Sequence, residues 1–576
     1  MKALNPQNMM LKCFPNALRI RIYLVLSSFF LIISAAFLLL SPSALDSSVI
    51  NPCTSHKCLH MVETSYKSKA MLDDVKLSNQ SYQHVQKSKR PNFMNDMEKG
   101  MRIGMLNMDR EDLSQWSVFG ELIPISFKKV SNNLKWEDLF PRYLNEEEEK
   151  DIQSRPKMPM HDFNKLKYMD MVVVKIPCKH PKEGWQRDVF RLQLHLVAAE
   201  LVVKRGRGRT KVVVESKCKP MMEVFRCDDL VKEEGEWWYY KPDVNRLKHK
   251  ISLPFGTCDT DLPLSEKGII NQVHELNPES KLTKREAYAT VLHSSEAYVC
   301  GAITLAQSLL KTRTNRHLIL LIDTSISVSK RRALAAAGWT IRIIERISNP
   351  RSRNDTYNRY NYTKLRLWQL TDYHKIIFID CDMIVLRNLD HLFSFPQMSA
   401  ASNSESRFNS GIMVIEPSNC TFMHFMQSIN EITSYNGGDQ GFLNEIFVYW
   451  HRFPKKVNFF KQFVSNSNEE ETVNNQLFAA DPPKLYTIHY FGRKPWLCYR
   501  DYDCNWDVPY FRMYASDVAN RRWWNVHDAM DDSLQKECEL ADWRKEELKQ
   551  DREAAKRAGF ADNHWLINIS DPRSFD

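Results

Sequence analysis

The sequence predicts an α/β protein whose main domain is a Rossmann-like mixed sheet of mostly parallel strands flanked by helices, on a single N-terminal transmembrane helix. Three observations lead to this fold class. From about residue 284 onward, strand-like apolar runs alternate with helix-like runs, which is the pattern of βαβ units. One apolar run ends in an Asp-x-Asp pair at residues 380–382. An uncharged apolar segment occupies residues 22–40.

The N-terminal apolar segment is long enough to cross a bilayer as a helix. It is preceded by the basic residues Lys2, Lys12, Arg19 and Arg21. By the positive-inside rule, residues 1–21 form a cytosolic tail, residues 22–40 form the anchor, and the remainder is lumenal, as in a type II membrane protein. A cleaved signal peptide is the alternative, but the apolar run is longer than a usual signal core, which favours a retained anchor.

Residues 41–100 are predicted to be a stem, because they are rich in Ser, Lys, Asn and Gln and show weak periodicity. The whole chain has the composition of a globular protein, with 43% hydrophobic and 26% charged residues among 576. The net charge of +10 is modest for this length. No basic block, zinc-finger spacing or RNA-binding signature indicates a nucleic-acid partner.

The cysteines and the glycosylation sequons agree with a lumenal location. All of the thirteen cysteines except Cys13 lie beyond the apolar segment, where disulfides are permitted. The pairs close enough in sequence for local bridges are Cys53 with Cys58, Cys218 with Cys227, and Cys498 with Cys504. Spacing alone does not determine pairing, and zinc is disfavoured because no Cys-x-x-Cys occurs. The sequons lie at Asn79, Asn354, Asn361, Asn419 and Asn568.

Residues 101–283 are predicted to form an accessory α/β region with a core of its own. Residues 169–176 and 210–214 have the apolar pattern of strands, and residues 187–203 have helical apolar spacing. Together they indicate a βαβ unit. No pattern in the region indicates a chemistry, so its role stays unassigned.

The main domain is predicted over residues 284–515. Its predicted strands are residues 287–292, 317–322, 340–344, 376–379 and 412–415, and its predicted helices are residues 297–310, 330–337 and 364–370. Leu292 ends the first strand, and Ser294, Ser295 and Tyr298 follow it. A nucleotide base would dock there, because ligands bind at the carboxyl ends of parallel strands. The sequence has no Gly-x-Gly-x-x-Gly or Walker loop, which disfavours dinucleotide and P-loop chemistry.

Asp380 and Asp382 directly follow a predicted buried strand, and in an extended backbone they point to the same side. Two uncompensated carboxylates at the end of an apolar strand indicate a cation, and a divalent metal that bridges a diphosphate is the first candidate. Three polar clusters lie downstream, at residues 408–411, 436–441 and 489–496. The last of them contains an imidazole, a glycine that permits close backbone approach, and a lysine that can meet phosphate.

In these motifs the sequence resembles the glycogenin-type, family 8 retaining glycosyltransferases, which have the GT-A fold. The resemblance runs from about residue 284 to residue 496. It depends on motifs in the family's order: Tyr288-Ala289-Thr290, Lys364-Leu365, Asp380-Cys381-Asp382, Asn409-Ser410-Gly411 with Gly438-Asp439-Gln440, and His489 with Lys494-Pro495-Trp496. Phrases such as residues 435–441 and 496–504 are closest to the plant Golgi branch that adds glucuronic acid to xylan.

The resemblance implies a role for each matching position. Mn²⁺ would be held by Asp380, Asp382 and His489. The uridine would be lined by Leu292, Ser294, Ser295 and Tyr298. The diphosphate would meet Gly492 and Lys494. The donor sugar would be surrounded by Lys364, Asn409, Ser410, Asp439 and Gln440, of which Lys364, Asp439 and Gln440 are the expected catalytic residues.

The resemblance therefore implies Mn²⁺-dependent, retaining transfer of a glucuronosyl unit from UDP-glucuronate to xylan in an α linkage, in the Golgi membrane, for cell wall biogenesis. The expected partners are the UDP-sugar, the polysaccharide and a Golgi enzyme complex. Two alternatives stay open: glycogenin-like transfer of another sugar, and a catalytically silent Golgi scaffold. Asn436 stands where glycogenin has a carboxylate, and the stretch from Gly492 to Lys494 is one residue shorter, which disfavours glycogenin-like self-glucosylation.

Two expectations concern basic and aromatic residues. A glucuronate donor requires a cation that faces its carboxylate, and Arg407 and Arg493 are the two candidates. Residues 516–576 are predicted to be a charged C-terminal extension that is helical over residues 534–558. Its Trp523-Trp524 pair is expected to pack in the interior, with an aromatic platform for xylan as the alternative.

Overall fold

The computed structural model describes residues 90–140, 158–159, 163–182, 184–252, 285–352, 357–465 and 467–574. The predicted cytosolic tail, the predicted anchor and most of the predicted stem lie outside these residues, as do Cys53, Cys58, Asn79 and Asn354. In the described part of the chain, no helix combines the length and the apolar character needed to span a membrane.

Strands and helices alternate through most of the described chain. The strands are β1 (Met101–Leu106), β2 (Gly120–Ile125), β3 (Met169–Lys175), β4 (Gly206–Glu215), β5 (Leu230–Glu234), β6 (Trp237–Tyr240), β7 (Glu286–Leu292), β8 (His317–Ile322), β9 (Thr340–Ile343), β10 (Lys375–Ile379), β11 (Met383–Val385), β12 (Ser399–Ser404), β13 (Arg407–Ile415), β14 (His451–Phe453), β15 (Phe459–Phe460) and β16 (Thr487–His489). The helices are α1 (Arg110–Trp116), α2 (Trp136–Leu139), α3 (Val189–Arg205), α4 (Val244–Ser252), α5 (Val299–Lys311), α6 (Val328–Ala336), α7 (Asn419–Ser428), α8 (Asp439–Ile446), α9 (Asn468–Ala479), α10 (Asp517–His527), α11 (Asp532–Gln535) and α12 (Asp542–Ala558).

The accessory region contains a sheet of its own, with the strand order β2-β1-β3-β4-β6-β5. Strands β3 and β4 are parallel and are joined by helix α3, which confirms the predicted βαβ unit. Asp188 caps α3, since its side chain accepts a hydrogen bond from the amide of Arg191. Residues 192–202 of this helix are almost entirely buried, so the helix lies in the interior between the sheet and the rest of the protein.

The second sheet has the strand order β14-β12-β13-β10-β7-β8-β9. Strands β10, β7, β8 and β9 are mutually parallel, whereas β13 runs antiparallel to β10. This is the mixed, mostly helix-flanked sheet expected of a GT-A domain. The predicted strand at residues 317–322 is found with the same bounds, and the predicted helix at residues 364–370 is the end of a 3₁₀ segment, Tyr357–Gln369.

A small third sheet, ordered β11-β16-β15, crosses the carboxyl end of β10. Strands β11 and β16 are antiparallel, and Met383 is paired with His489. Because β11 begins one residue after Asp382, this pairing carries the imidazole of His489 to the predicted carboxylate pair. The third sheet therefore assembles the site from segments about 100 residues apart in sequence.

The accessory region packs directly on the main domain. Cys227 forms a disulfide with Cys420 of helix α7. Next to this link, Arg226 pairs with Glu416 at 2.7 Å, and both side chains are about 10% exposed. Removal of one partner from a buried ion pair of this kind strongly destabilises a protein. The pair therefore holds the accessory region and the main domain in one arrangement.

The disulfides differ in part from the predicted local pairs. The Cys498–Cys504 bridge is confirmed. The Cys218–Cys227 pairing is wrong, because Cys218 bonds to Cys178 and Cys227 bonds to Cys420. Strands β3 and β4 are parallel neighbours with Lys175 opposite Glu215, and Cys178 and Cys218 each lie three residues beyond that pair. A fourth bridge among the described residues, Cys300–Cys538, joins helix α5 to the C-terminal extension.

The C-terminal extension is helical as predicted, but its helix is interrupted: α11 ends at Gln535 and α12 begins only at Asp542. Helix α12 ends at Ala558 and is followed by Gly559, whose φ of 62° is left-handed, as is usual after a helix. Trp523 and Trp524 are 1% and 3% exposed, which confirms that they pack in the interior.

Candidate active site

The carboxylates of Asp380 and Asp382 lie at the carboxyl end of β10, as predicted. The amide of Asp380 donates a 2.8 Å hydrogen bond to the carbonyl of Gly411, so the neighbouring strand β13 fixes its backbone. One ligand atom from each of Asp380, Asp382 and His489 lies within 4.8 Å of the other two. Two carboxylates and an imidazole at this spacing fit a divalent cation such as Mn²⁺.

His489 is held in place from both sides of its ring. Its Nε2 lies 3.3 Å from Oδ1 of Asp382, and its Nδ1 lies 3.1 Å from Oδ1 of Asn458. The backbone of Gly411 passes so close that a Cβ atom there would stand 2.5 Å from Cε1 of the imidazole. Glycine is therefore required at residue 411, because any side chain would displace His489.

The electrostatics of the two carboxylates differ. Burial raises the pKa of Asp380, although the Lys364 ammonium opposes this shift. Burial also disfavours ionisation of Asp382, but Lys494 and His489 outweigh it and hold the pKa of that carboxyl well below its usual range. Burial raises the pKa of Cys381 to about 12, so this thiol stays protonated in the metal-free protein, where its Sγ contacts the hydroxyl of Thr290 and the carbonyl of Val291.

Lys494 lies on the loop after β16 and points into the site. Its Nζ donates to Oδ2 of Asp382 at 2.6 Å and to the carbonyl of Tyr490 at 2.6 Å. Gly492, two residues earlier, has a φ of 74°, and a Cβ atom there would stand 2.5 Å from Oδ1 of Asn505. The loop therefore needs glycine both for its backbone conformation and for its close packing.

Lys364 connects the carboxylate pair to the second polar cluster. Its Nζ lies 3.2 Å from Oδ1 of Asp380 and 2.7 Å from Oδ2 of Asp439. The hydroxyl of Ser410 donates to the same Oδ2 of Asp439 at 2.9 Å. The predicted residues Lys364, Ser410 and Asp439 thus lie in one hydrogen-bonded group next to the metal ligands.

Gln440 and Asn409 complete this group. Oε1 of Gln440 accepts from Nδ2 of Asn409 at 3.1 Å and from the amide of Ser410 at 3.2 Å. Nε2 of Gln440 donates to the hydroxyl of Tyr435 at 2.6 Å. Both polar atoms of the Gln440 amide therefore have hydrogen-bond partners, which fixes its direction in the site.

The four residues predicted to line a uridine lie at the end of β7, beside β10. Leu292 is buried, and the hydroxyl of Ser295 accepts from the amide of Ala297, which starts a short 3₁₀ turn. Ser294 has a φ of 66°, and its amide lies 3.3 Å from Oδ1 of Asp323. The ring of Tyr298 packs edge-on against the ring of Trp496, with 5.6 Å between the ring centroids. Contact with uridine remains a prediction for all four.

The two arginines considered for a sugar carboxylate have different surroundings. Arg493 pairs with Asp551 at 2.7 Å and with Glu547 at 3.3 Å, both on helix α12. Arg407 stacks instead on Tyr435, with its guanidinium carbon 3.9 Å from the ring centroid. The guanidinium of Arg493 is thus already paired with carboxylates of the protein.

One residue of the site was missed in the sequence. Asn458 is 2% exposed and bridges two predicted residues, since its Nδ2 donates to Oδ1 of Asn409 at 2.9 Å while its Oδ1 faces His489. It belongs to no motif and lies 31 residues before His489. The signal that could have revealed it is a polar residue between two apolar ones, Val457 and Phe459.

Comparison with known proteins places the chain among named relatives. Residues 73–258 match the GUX1-5 N-terminal domain, and residues 289–499 match glycosyl transferase family 8. The chain is 54% identical over 535 residues to UDP-glucuronate:xylan alpha-glucuronosyltransferase 2 of Arabidopsis thaliana, which covers 90% of each chain. It is 46% identical to the alpha-glucuronosyltransferase 1 of the same plant, covering 83% of this chain and 73% of the relative. The crystal structure of the galactosyltransferase LgtC aligns at 16% identity with a TM-score of 0.31, over 44% of this chain and 99% of that chain.

Proposed function

Because the chain belongs to glycosyltransferase family 8 and to its branch of UDP-glucuronate:xylan alpha-glucuronosyltransferases, we propose that it moves a glucuronosyl unit from UDP-glucuronate to a xylose of xylan. The observation that carries this proposal is the convergence of Asp380, Asp382 and His489 within 4.8 Å, with Lys494 beside them. We further propose that the transfer retains the anomeric configuration, gives an α linkage and requires Mn²⁺.

The proposed leaving group is UDP, on whose diphosphate negative charge develops as the sugar departs. A metal held by Asp380, Asp382 and His489 would neutralise part of that charge when bound. Lys494 supplies a second positive charge beside these residues, and its hydrogen bonds to Asp382 and Tyr490 orient it before the donor binds.

The proposed sugar site also contains Asp439, Gln440 and Lys364, which lie next to the candidate metal ligands. The Asp439 carboxylate and the Gln440 amide oxygen are the groups able to stabilise positive charge at the reacting carbon. Lys364 contacts Asp439 at 2.7 Å, which orients that carboxylate. This arrangement supports a mechanism in which charge is stabilised by residues already fixed before the donor binds.

We propose that the protein acts as a single-pass type II membrane protein with its catalytic domain in the Golgi lumen, and that it works within a Golgi enzyme complex. The bridges Cys178–Cys218, Cys227–Cys420, Cys300–Cys538 and Cys498–Cys504 support an oxidising compartment. Among the sequon asparagines in the described residues, Asn419 and Asn568 are exposed, which is consistent with N-glycosylation in the same compartment.

Two other functions are distinguishable from this one. Transfer of another sugar would use the same metal site and the same Lys494. Only the preference for the donor sugar would therefore distinguish it from glucuronosyl transfer. A catalytically silent scaffold is disfavoured by the intact set of Asp380, Asp382, His489 and Lys494. Metal-dependent UDP binding without turnover would be its signature.

The test is transfer by the purified chain with Mn²⁺ and xylo-oligosaccharide, offered UDP-glucuronate, UDP-glucose, UDP-galactose and UDP-xylose in turn. Glucuronate-selective transfer that is lost in an Asp380→Asn, Asp382→Asn variant is the expected result, and NMR of the product gives the linkage. Preference for a different donor would contradict the substrate. No turnover with any donor would favour the scaffold.

A further inference from the structure

Arg407 lies next to the proposed donor-sugar site. It is the first residue of β13, and Asn409 lies two residues further along the strand. Side chains two apart in a strand share a face, and Phe408 between them is fully buried on the other face. Arg407 stacks on Tyr435, whose hydroxyl accepts from Nε2 of Gln440. The ring of Tyr435 thus lies between Arg407 and the Gln440 amide, which is expected to face the sugar.

The guanidinium of Arg407 has no carboxylate partner among the residues that the structure describes. Its side chain is half-buried, and the contact that orients it is the face of Tyr435. Stacking on an aromatic ring fixes the plane of an arginine but leaves its N–H donors available. By contrast, Arg493 is paired with two carboxylates of helix α12.

The accessory region places a second cation, Arg187, near Arg407. Arg187 donates from Nη2 to the carbonyl of Asn444 at 2.9 Å, and its Nη1 lies 3.8 Å from Glu445. Burial lowers the pKa of Arg187, Glu445 partly offsets this, and the charge of Arg407 lowers it further. Arg187 and Arg407 are therefore close enough to repel each other, while Glu445, Glu137 and Glu223 offset part of the positive charge of Arg187. Arg187 is thus a second, partly balanced cation near Arg407.

We propose that Arg407 receives the carboxylate of a glucuronate donor, with Arg187 of the accessory region as a second cation nearby. The inference rests on the proposed function and names the residue that sets its donor specificity. UDP-glucose differs from UDP-glucuronate by a hydroxymethyl group in place of the carboxylate. An arginine fork pairs with a carboxylate through two hydrogen bonds, and a neutral donor leaves that cation unpaired.

The test measures binding of UDP-glucuronate, UDP-glucose and UDP to the full chain by calorimetry in the presence of Mn²⁺. Arg407→Gln is expected to weaken UDP-glucuronate binding about tenfold or more, with UDP and UDP-glucose changed less than about twofold. Arg407→Lys should retain part of the preference for UDP-glucuronate over UDP-glucose. Arg187→Gln should reduce this preference less than Arg407→Gln does. The matched control is Arg332→Gln, because Arg332 is an exposed arginine on helix α6.

The outcomes separate this inference from the proposed function. If the unaltered chain does not prefer UDP-glucuronate, the proposed function and this inference both fail. If it does prefer UDP-glucuronate and Arg407→Gln keeps the preference, only the inference is overturned. The inference is also overturned if Arg493→Gln abolishes the preference and Arg407→Gln does not, or if Arg407→Gln weakens all three ligands equally. Arg407→Lys keeps the test decisive should Arg407→Gln fail to fold.

Discussion

Oδ1 of Asn458 lies 3.1 Å from Nδ1 of His489, in a part of the site where both side chains are less than 5% exposed. An amide oxygen accepts a hydrogen bond, so this contact pairs with a protonated Nδ1 and would leave Nε2, which faces Asp382, to bind a cation when one occupies the site. Asn458 is itself fixed, since its Nδ2 donates to Asn409. One amide thus orients a metal-capable imidazole with respect to the sugar cluster.

Replacing this amide is expected to weaken metal binding. Asn458→Ala should lower the affinity for Mn²⁺ about 10- to 100-fold, the usual effect of removing a partner that orients a ligand. Electron paramagnetic resonance of free Mn²⁺ measures the affinity without any assay of activity. Asn520→Ala is the matched control, because Asn520 is equally buried in helix α10. An Asn458→Ala variant with unchanged affinity would contradict the assigned role.

A methyl group at residue 411 is expected to disrupt the same imidazole. In Gly411→Ala the new Cβ would stand 2.5 Å from Cε1 of His489, so the ring has to move away from Asp382. We expect Mn²⁺ affinity to fall at least about tenfold, as for other changes that disturb a ligand's orientation. Gly208→Ala serves as the control, since a Cβ there meets no atom within 4 Å and only the φ of 77° opposes it. It should lower stability slightly and leave metal affinity unchanged.

Lys494 is expected to affect the rate of transfer more than the binding of the donor. In Lys494→Met the fixed positive charge beside Asp382 is lost, and with it stabilisation of charge on the leaving diphosphate. We expect kcat to fall about 100- to 1,000-fold, the range seen when one stabilising donor is removed. Steady-state kinetics with UDP-glucuronate measure this. Lys484→Met, at an exposed lysine, should behave like the unaltered protein. A change confined to KM would assign Lys494 to ground-state binding instead.

The contact between the accessory region and the main domain is expected to weaken in acid. Burial would raise the pKa of Glu416, but Lys375 and Arg226 outweigh it and lower the pKa to about 2 from an ordinary 4.5. A carboxyl whose pKa is lower in the folded state stabilises that state above pH 4.5. The stabilisation is lost as the pH falls from about 4.5 to about 2.

Glu416→Gln should therefore be less stable than the unaltered protein by roughly 3 kcal/mol near neutral pH, since one pKa unit corresponds to about 1.4 kcal/mol. Its free energy of unfolding should also fall less steeply on acidification, which denaturant titration at several pH values measures. The control is Glu539→Gln, at an exposed carboxylate. Parallel pH curves for Glu416→Gln and the unaltered protein would contradict the prediction.

Much of the fold followed from local patterns. The β8 run of apolar residues is typical of a buried strand, and its bounds are those predicted. The pair Asp380 and Asp382 was predictable because a strand end places such residues at a ligand-binding edge. These features depend on residues near one another in sequence, which is why periodicity and motifs were sufficient to find them.

The features that were missed depend on contacts distant in sequence. Cys178 and Cys218 bond because β3 and β4 are adjacent and in register, and no spacing rule reveals which strands are neighbours. The partner of Cys227 comes from helix α7, 193 residues away. Asn458 and Arg187 carry no motif, and their importance arises only when the third sheet and the accessory region have packed on the main domain.

The Cys300–Cys538 bridge has a practical consequence for obtaining the protein. It fastens helix α5, which begins beside Tyr298, to a segment 238 residues later in the chain. A bacterial cytosol keeps thiols reduced, so material produced there would carry eight unpaired sulfhydryls where the four bridges of the described chain belong. Secretion from a eukaryotic host, or an oxidising bacterial strain with a disulfide isomerase, is the appropriate route to active enzyme.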